Sequence, residues 1–425
     1  MAVAISVTIP PAYRQKIQSP FFLWSSVAAV LFLLLLQAHF PWWRTHLQAD
    51  VGAFYNRSAY FFPHGSWQGM GYDEYQPGAL IYFVLIGFLS FAPGSFDAFI
   101  TMTIMMNVLL IIAHVLFFLR TGPKWAPLTF VLLTAAAGPI LLFRFELLVS
   151  LVVLWAWRLF QRKQLFFAAF LLGIATSIKL YPLIVLPLVA GELLRKKKWA
   201  DTVMVIGCFS AGVAFPIVLT VAYGFSFLAI LQSVAVHGLK PVGLEGFWGN
   251  LVTIVQGLLH IPLDMTPGYG VQGFTPTLWF FSIPLLNTIW VIPTGFLLLG
   301  IFWTRRNDGY ADPICCFLLL FSFVYFEKVV NPQYLWWFLS LLPLLAPPQI
   351  GKRRWLWCVA LAAGSLLFTQ LLYPLYYTQF IAWFYGQTAN GWLFFLMVVR
   401  NILLALLGAL CLSVPARKNR HVRSV

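Results

Sequence analysis

Long apolar runs, separated by short clusters of basic residues, constrain the fold of this 425-residue chain more than any other feature. Hydrophobic residues make up 61% of the sequence and charged residues only 9%, whereas a soluble domain carries roughly 25% charged residues. The runs are continuous rather than alternating, which excludes a transmembrane β-barrel. The sequence therefore predicts an all-α polytopic membrane protein that forms one integral-membrane domain over residues 1–425.

The basic residues, which give the chain a net charge of +15, lie mainly between the apolar runs. This distribution is typical of residues that orient helices in a membrane, and it argues against nucleic acid as a partner. We therefore expect the basic clusters to be cytoplasmic, including the N-terminal residues 1–20 and the tail 414–425. The first run is followed by HFPWWRTH rather than by a small-residue cleavage site, so we expect it to remain as a helix.

Placing every basic cluster on one side requires about twelve membrane crossings. The run 77–92 is only about 16 residues long, and counting it as a crossing would invert every later cluster. We expect it to be re-entrant or to pack at the outer surface. The outer face then receives a first loop, 40–96, and a second large loop, 224–275, which carry short helices. The expected crossings are 21–39, 97–119, 125–143, 146–161, 164–178, 180–194, 201–223, 276–303, 311–326, 332–347, 355–373 and 391–413.

Lys179 is the only charged residue between Lys163 and Glu192. A single helix over 163–195 would be about 48 Å long, too long for a hydrocarbon core of roughly 30 Å. Two short helices that meet at Lys179, with Pro182 just beyond, fit the membrane and bring Lys179 to the outer face. A charge in such a position is expected to face water, a partner or a ligand.

Acidic and basic residues gather at the outer ends of the expected helices. Asp50 lies at the start of an expected surface helix over 49–62, where it would either cap the helix or take part in chemistry. Arg144 and Glu146 lie at an outer hairpin tip, where a plain Arg–Glu ion pair is the simpler interpretation. The other outer polar residues include His237, Lys240 and Glu245 in the second loop and Gln333 in the tip 326–337.

Taken in order, these segments resemble the motifs of polyprenyl-phosphate-dependent glycosyltransferases of the GT-C superfamily, specifically glycosyltransferase family 87, the α-1,2-mannosyltransferase-like group. The Lys-x-x-Pro tip from Lys179 to Pro182 matches closely. The first-loop aspartate corresponds to Asp50. The turn EYQPG follows it, with Gln76 where the family usually has proline. Further matches are the Arg-x-Asp tip, here Arg144-Phe145-Glu146; the His-x-x-Arg-x-x-x-x-Glu-Ser pattern, here His237, Lys240, Glu245 and Gly246; and Pro332-Gln333-Tyr334.

The resemblance implies a GT-C-type helical bundle and a polyprenyl-monophosphate sugar donor. Lys179, Arg144 and Lys240 are expected to bind the donor phosphate, because fixed cations stabilise the charge that develops on a leaving group. Asp50 is the expected general base. His237 is the other candidate, as a base or as a phosphate contact. Residues expected to bind sugar or acceptor, or to support the site, are Glu146, Glu245, Tyr75, Gln76, Gln333 and Tyr181.

We expect no cofactor and no metal, because no loop carries three or four carboxylates; Asp73 and Glu74, near Asp50, are the one place where a cation could gather. The expected partners are the donor lipid, a glycan or glycolipid acceptor and membrane lipids. Direct displacement with one carboxylate base predicts inversion at the anomeric carbon. The expected location is a bacterial plasma membrane, with the site on the non-cytoplasmic face.

Three other classes of protein share part of this pattern. A transporter or lipid flippase also has intramembrane charges and short, proline-broken helices, and Arg400 within the last run fits that class better. A polymerase or ligase of lipid-linked glycans would share most of the outer-face residues. A non-catalytic membrane scaffold is the remaining alternative.

Overall fold

The computed structural model describes residues 19–70, 74–91, 94–268, 270–304, 312–345, 350–389 and 391–414. Several sequence expectations lie outside the described residues. They concern the N-terminal basic residues Arg14 and Lys16, the acidic residue Asp73, the basic pair Arg305–Arg306 and the basic tail beyond 414.

Helices dominate the described residues. In the first half of the chain they are α1 (Pro20–His39), α2 (Pro41–His64), α3 (Pro77–Leu89), α4 (Phe96–Thr121), α5 (Ala126–Ala137), α6 (Glu146–Gln161), α7 (Leu165–Ile178), α8 (Leu186–Arg195) and α9 (Trp199–Ala222). In the second half they are α10 (Phe227–Leu239), α11 (Phe247–Leu258), α12 (Ile283–Ile289), α13 (Val291–Thr304), α14 (Pro313–Phe326), α15 (Leu335–Leu339), α16 (Lys352–Gln370), α17 (Tyr377–Phe384) and α18 (Trp392–Leu412). Short 3-10 turns cover Gly138–Leu142, Tyr181–Val185, Trp279–Phe281, Pro332–Tyr334 and Leu342–Leu344, and a π-helical turn covers Leu371–Leu375.

Six helical segments in the described part of the chain are long and apolar enough to cross a membrane. They are Pro20–His39, Phe96–Thr121, Trp199–Ala222, Ile283–Thr304, Lys352–Leu375 and Trp392–Leu412. The prediction of an all-α polytopic membrane protein is therefore confirmed. The arrangement of about twelve crossings stays a prediction, because the other expected segments form shorter helices.

Several of these helices turn large apolar side chains outward. Phe21 and Phe32 of α1 are 82% and 68% exposed, and Val203 of α9 and Phe296 of α13 are similarly exposed. Contiguous apolar surface of this kind is rare on a soluble monomer. It matches helices whose outer faces contact lipid.

The interior is one large apolar cluster whose members run from Val27 to Val414. A second, smaller cluster combines residues between 242 and 286 with Leu372 and with parts of α17 and α18. The segment 224–275 also contains an antiparallel three-stranded sheet in the order β1-β3-β2. Its strands are β1 (Val242–Gly243), β2 (Asp264–Met265) and β3 (Gly273–Thr275), with Val242 opposite Phe274 and Asp264 opposite Thr275.

The helix break expected at Lys179 is confirmed. α7 ends at Ile178, Lys179 has extended backbone angles, and a 3-10 turn begins at Tyr181. Pro182 lies at the start of that turn, where its missing N–H does no harm. Lys179 therefore projects from a turn between two helices rather than from a helix interior.

Candidate active site

Four polar segments that lie far apart in the sequence meet in the structure. They supply Asp50 from α2, Arg144 from the turn before α6, Lys179 from the turn after α7, and Lys240 from the end of α10. The charges of Arg144 and Lys240 both act on Lys179, and those of Lys179 and Lys240 act on His237. The sequence motifs thus contribute to one charged region, which we call the cation cluster (Arg144, Lys179 and Lys240).

Asp50 lies inside α2, so its interpretation as a helix cap is wrong. The helix begins at Pro41, with Phe40 as its N-cap, about two turns before the expected start at 49. Proline at the first helical position explains this start, because its fixed φ suits the first turn and it needs no backbone donor. Asp50 Oδ2 accepts hydrogen bonds from the Arg144 guanidinium and from the Tyr373 hydroxyl, the latter at 2.7 Å.

Arg144 pairs with Asp50, so the plain Arg144–Glu146 ion pair is the wrong description of this hairpin tip. The Arg144 side chain is only 11% exposed. Burial acts to lower the pKa of Arg144, but the charge of Asp50 outweighs it and the pKa is raised. Arg144 is therefore a permanent cation next to the expected base.

Lys179 is held by a carboxylate and by aromatic rings. Its Nζ lies 3.3 Å from Oε1 of Glu146, which is buried at the first position of α6, where the helix dipole favours negative charge. The same Nζ lies 4.5 Å from the ring centre of Phe145, and the rings of Tyr334 and Trp337 are 5.6 and 5.9 Å away. Burial lowers the pKa of Lys179, and Glu146 opposes this change.

Lys240 forms the third cation–carboxylate pair of the region. Its side chain is 7% exposed, and its Nζ lies 3.3 Å from Glu74 Oε2. The backbone around it is fixed by Lys328, whose Nζ donates to the carbonyl oxygens of Gly238 at 3.1 Å and of Lys240 at 2.6 Å. Lys240 is therefore a positioned charge rather than a mobile surface lysine.

His237, half-buried near the end of α10, lies close to this positive region. Burial and the charges of Lys240, Lys179 and Lys328 lower the pKa of His237 to about 4. The imidazole is therefore neutral near pH 7. A neutral imidazole contributes no charge to phosphate binding, and one with so low a pKa is a weak general base.

Glu245 is tied to the last long helix. Arg400 of α18 is fully buried, donates to the Glu245 carbonyl oxygen and places Nη1 3.7 Å from the Glu245 carboxylate. One residue further, Asn401 donates to Asn250 Oδ1 at 2.6 Å. Burial raises the pKa of Glu245 to about 7, against the effect of Arg400. These contacts fasten the segment 245–250 to α18, and they place Arg400 in an ion pair.

The four remaining expected site residues are buried or half-buried, and three of them are next to or in contact with aromatic rings near Lys179 or Arg144. Tyr181 is buried and stacks on Trp337 with ring centres 4.4 Å apart. Gln76 is the buried N-cap of α3. Gln333 is buried in the turn Pro332–Tyr334, next to a ring that faces Lys179. Tyr75 makes edge contacts with Phe54, Phe83 and Phe145, and Arg57 lies over its ring.

In the part of the chain that the structure describes, no group of three or more His, Cys, Asp or Glu side chains is placed so that it could hold a metal ion. The described cation cluster instead consists of side-chain cations, each beside a carboxylate. Such a site can bind an anionic group and offer a carboxylate oxygen as a proton acceptor.

Sequence reasoning missed Tyr373, which bonds directly to Asp50. It also missed the rings of Phe145 and Trp337 around Lys179. The only available signal was weak, because the stretch LLYPLYY at 371–377 interrupts an apolar run with proline and tyrosines. Aromatic residues are frequent throughout this chain, so composition alone does not single out these rings.

No protein-family model matches the chain, and a search of curated proteins finds no match. A function for this site must therefore be argued from the residues and their geometry.

Proposed function

We propose that this protein is a membrane glycosyltransferase of the GT-C type, similar to glycosyltransferase family 87. It would move a sugar, with mannose as the expected sugar, from a polyprenyl-monophosphate donor to a glycan or lipid-linked acceptor. The reaction would take place at the non-cytoplasmic face of a bacterial plasma membrane.

The pairing of Asp50 with Arg144 beside Lys179 and Lys240 carries this proposal. A phosphate leaving group needs cations that are already in place, and an attacking hydroxyl needs a carboxylate to take its proton. Both requirements meet here in residues from four distant parts of the chain. A structural ion pair alone would not need three cations in one partly buried region.

In the proposed reaction, the acceptor hydroxyl oxygen attacks the anomeric carbon as its proton passes to Asp50. The bond between that carbon and the phosphate oxygen breaks, and its electron pair leaves with polyprenyl phosphate. Arg144, Lys179 and Lys240 stabilise the negative charge on the phosphate. Attack opposite to the leaving group inverts the anomeric configuration.

Arg400 no longer favours the transporter alternative over the proposed enzyme, because it pairs with Glu245. A donor assay separates the remaining classes. Purified protein is incubated with labelled polyprenyl-phosphate sugars, one donor at a time, and with candidate acceptors. A glycosyltransferase releases polyprenyl phosphate and forms a glycosylated product, whereas a transporter or scaffold forms neither. Absence of product with every donor would contradict the proposal.

The variant Asp50→Asn tests the expected base. A general base contributes typically 10²–10⁴-fold, so kcat should fall by about that factor while the donor KM stays near the wild-type value. If Asp50 only held Arg144 in place, the donor KM would rise instead. Glu192→Gln is the matched control, since it makes the same chemical change in an ion pair with Lys196, away from the site. Turnover of Asp50→Asn within a few-fold of wild type would show that Asp50 is not the base, and His237 would then be the next candidate.

A further inference from the structure

The carboxylate of Asp50 is held asymmetrically. Oδ2 receives the hydrogen bonds of both Arg144 and Tyr373. Within the described residues no hydrogen bond reaches Oδ1, and the side chain is 29% exposed. A carboxylate anchored through one oxygen presents the other in a defined direction. Oδ1 is therefore the oxygen with room to accept a hydrogen bond from an incoming hydroxyl group.

Tyr373 is itself well fixed. It lies in the irregular turn between α16 and α17, with backbone angles of φ −138° and ψ 123° that break the helix. The residue is 7% exposed, and its ring makes an edge contact with Tyr377 at a centre distance of 4.9 Å. The hydroxyl also lies 3.4 Å from the carbonyl oxygen of His46, one helical turn before Asp50. The hydroxyl thus contacts α2 at two points, the His46 carbonyl oxygen and the Asp50 carboxylate.

The two donors on Oδ2 differ in what else they do. Arg144 also belongs to the cation cluster, so a donor phosphate would compete with Asp50 for its guanidinium. Tyr373 is a neutral donor with no such second task, so its bond to the carboxylate would survive if Arg144 turned to the phosphate. A hydrogen bond to a charged group is stronger than one between neutral groups, and it suffices to hold one rotamer of a short side chain.

We propose that Tyr373 is a positioning residue for the reaction, holding Asp50 through Oδ2 so that Oδ1 accepts the proton of the acceptor. This role rests on the proposed function of Asp50 as the base. It assigns a task to a residue that lies C-terminal to all the segments that carry the sequence motifs.

The test is Tyr373→Phe, which keeps the ring and removes only the hydroxyl. We expect kcat to fall roughly 10- to 100-fold, the factor that corresponds to one hydrogen bond to a charged group, with little change in the donor KM. Tyr376→Phe is the matched control, because that neighbouring ring is exposed and packs against Trp392. In the Asp50→Asn background, Tyr373→Phe should cause no further loss, since both changes remove the same function.

Each other outcome overturns the inference. Wild-type kcat in Tyr373→Phe would show that the hydroxyl is dispensable. A multiplied loss in the double variant would show that Tyr373 acts independently of Asp50, and failure of Tyr373→Phe to fold would make the hydroxyl structural. These results require an active wild-type protein. A wild type that transfers no sugar from any donor overturns the proposed function as well, so the two failures are distinguishable.

Discussion

At the scale of single residues, Lys179 illustrates how an ammonium is kept in an otherwise apolar part of a membrane protein. Glu146 supplies one opposite charge, and three aromatic rings lie around the remaining sides. Ring faces attract a cation without competing for its hydrogen bonds. The ammonium therefore keeps N–H donors that can bond to an anion. Several carboxylates around it would occupy those donors.

Replacing Lys179 by alanine should weaken donor binding and reduce turnover. The loss of one charge-assisted contact predicts a donor KM roughly 10- to 100-fold higher, measured in the labelled-donor assay. Lys179→Arg should keep part of both activities, because it retains the charge but not the compact ammonium. Lys196→Ala, at the far end of α8, is the control and should behave as wild type. Unchanged donor affinity in Lys179→Ala would make Lys179 a structural residue.

At the scale of helices, the packing of α7 against α9 determines where Lys179 lies. The two helices approach closely at Gly173 and Gly212. A Cβ atom at Gly173 would collide with the Phe209 carbonyl oxygen, and one at Gly212 with that of Phe170. Small residues at a helix crossing allow this backbone approach in membranes. Because α7 ends one residue before Lys179, any shift of this helix moves the ammonium.

The variant Gly212→Ala should therefore destabilise the protein and weaken donor binding together. Overpacking typically costs about 1–3 kcal/mol, which thermal unfolding of the detergent-solubilised protein would detect as a lower midpoint. Gly207→Ala on the same helix meets no atom within 4 Å, so it should leave the midpoint unchanged or slightly higher. Equal behaviour of the two variants would show that the close crossing does not support the site.

Local sequence patterns predicted where helices lie better than they predicted which helices contact each other. The break at Lys179 follows from helix length and one proline, and it is found where expected. The start of α2 at Pro41 was missed, since polar residues between 44 and 50 do not read as an apolar run. The bond between Tyr373 and Asp50 joins residues more than 300 positions apart. No periodicity records such a pair, because only the folded packing of α2 against the turn Leu371–Leu375 creates it.

At the scale of the whole molecule, the two ends of the helices carry different sets of charged residues. The helix pairs α5–α6 and α7–α8 each carry a residue of the cation cluster at the turn between their two members. Their opposite ends carry basic residues, including Lys124, Arg162 and Lys197. Basic residues at one end and a paired polar site at the other are what the positive-inside rule predicts for a site on the outer face.

Labelling of single cysteines with a membrane-impermeant reagent tests this orientation in a variant without the five native cysteines. Gln68→Cys, an exposed position in the first outer loop, and Lys179→Cys should react in intact cells. Lys197→Cys, equally exposed on the other side, should react only after the membrane is permeabilised. Reaction of position 197 from outside, or protection of position 68, would reverse or break the proposed topology.

The three ion pairs of the site have a consequence for turnover. Each cation already has a carboxylate partner: Asp50 for Arg144, Glu146 for Lys179 and Glu74 for Lys240. An entering phosphate would exchange with these resident anions instead of filling bare positive charges. In the proposed reaction, Glu146 and Glu74 would close onto their cations again when the lipid phosphate departs, and Asp50 would do so once it has lost the proton taken from the acceptor. Release of the phosphate would then strand no unpaired charge in a region of low dielectric constant. Resident countercharges of this kind would weaken product retention and allow the site to empty and reload.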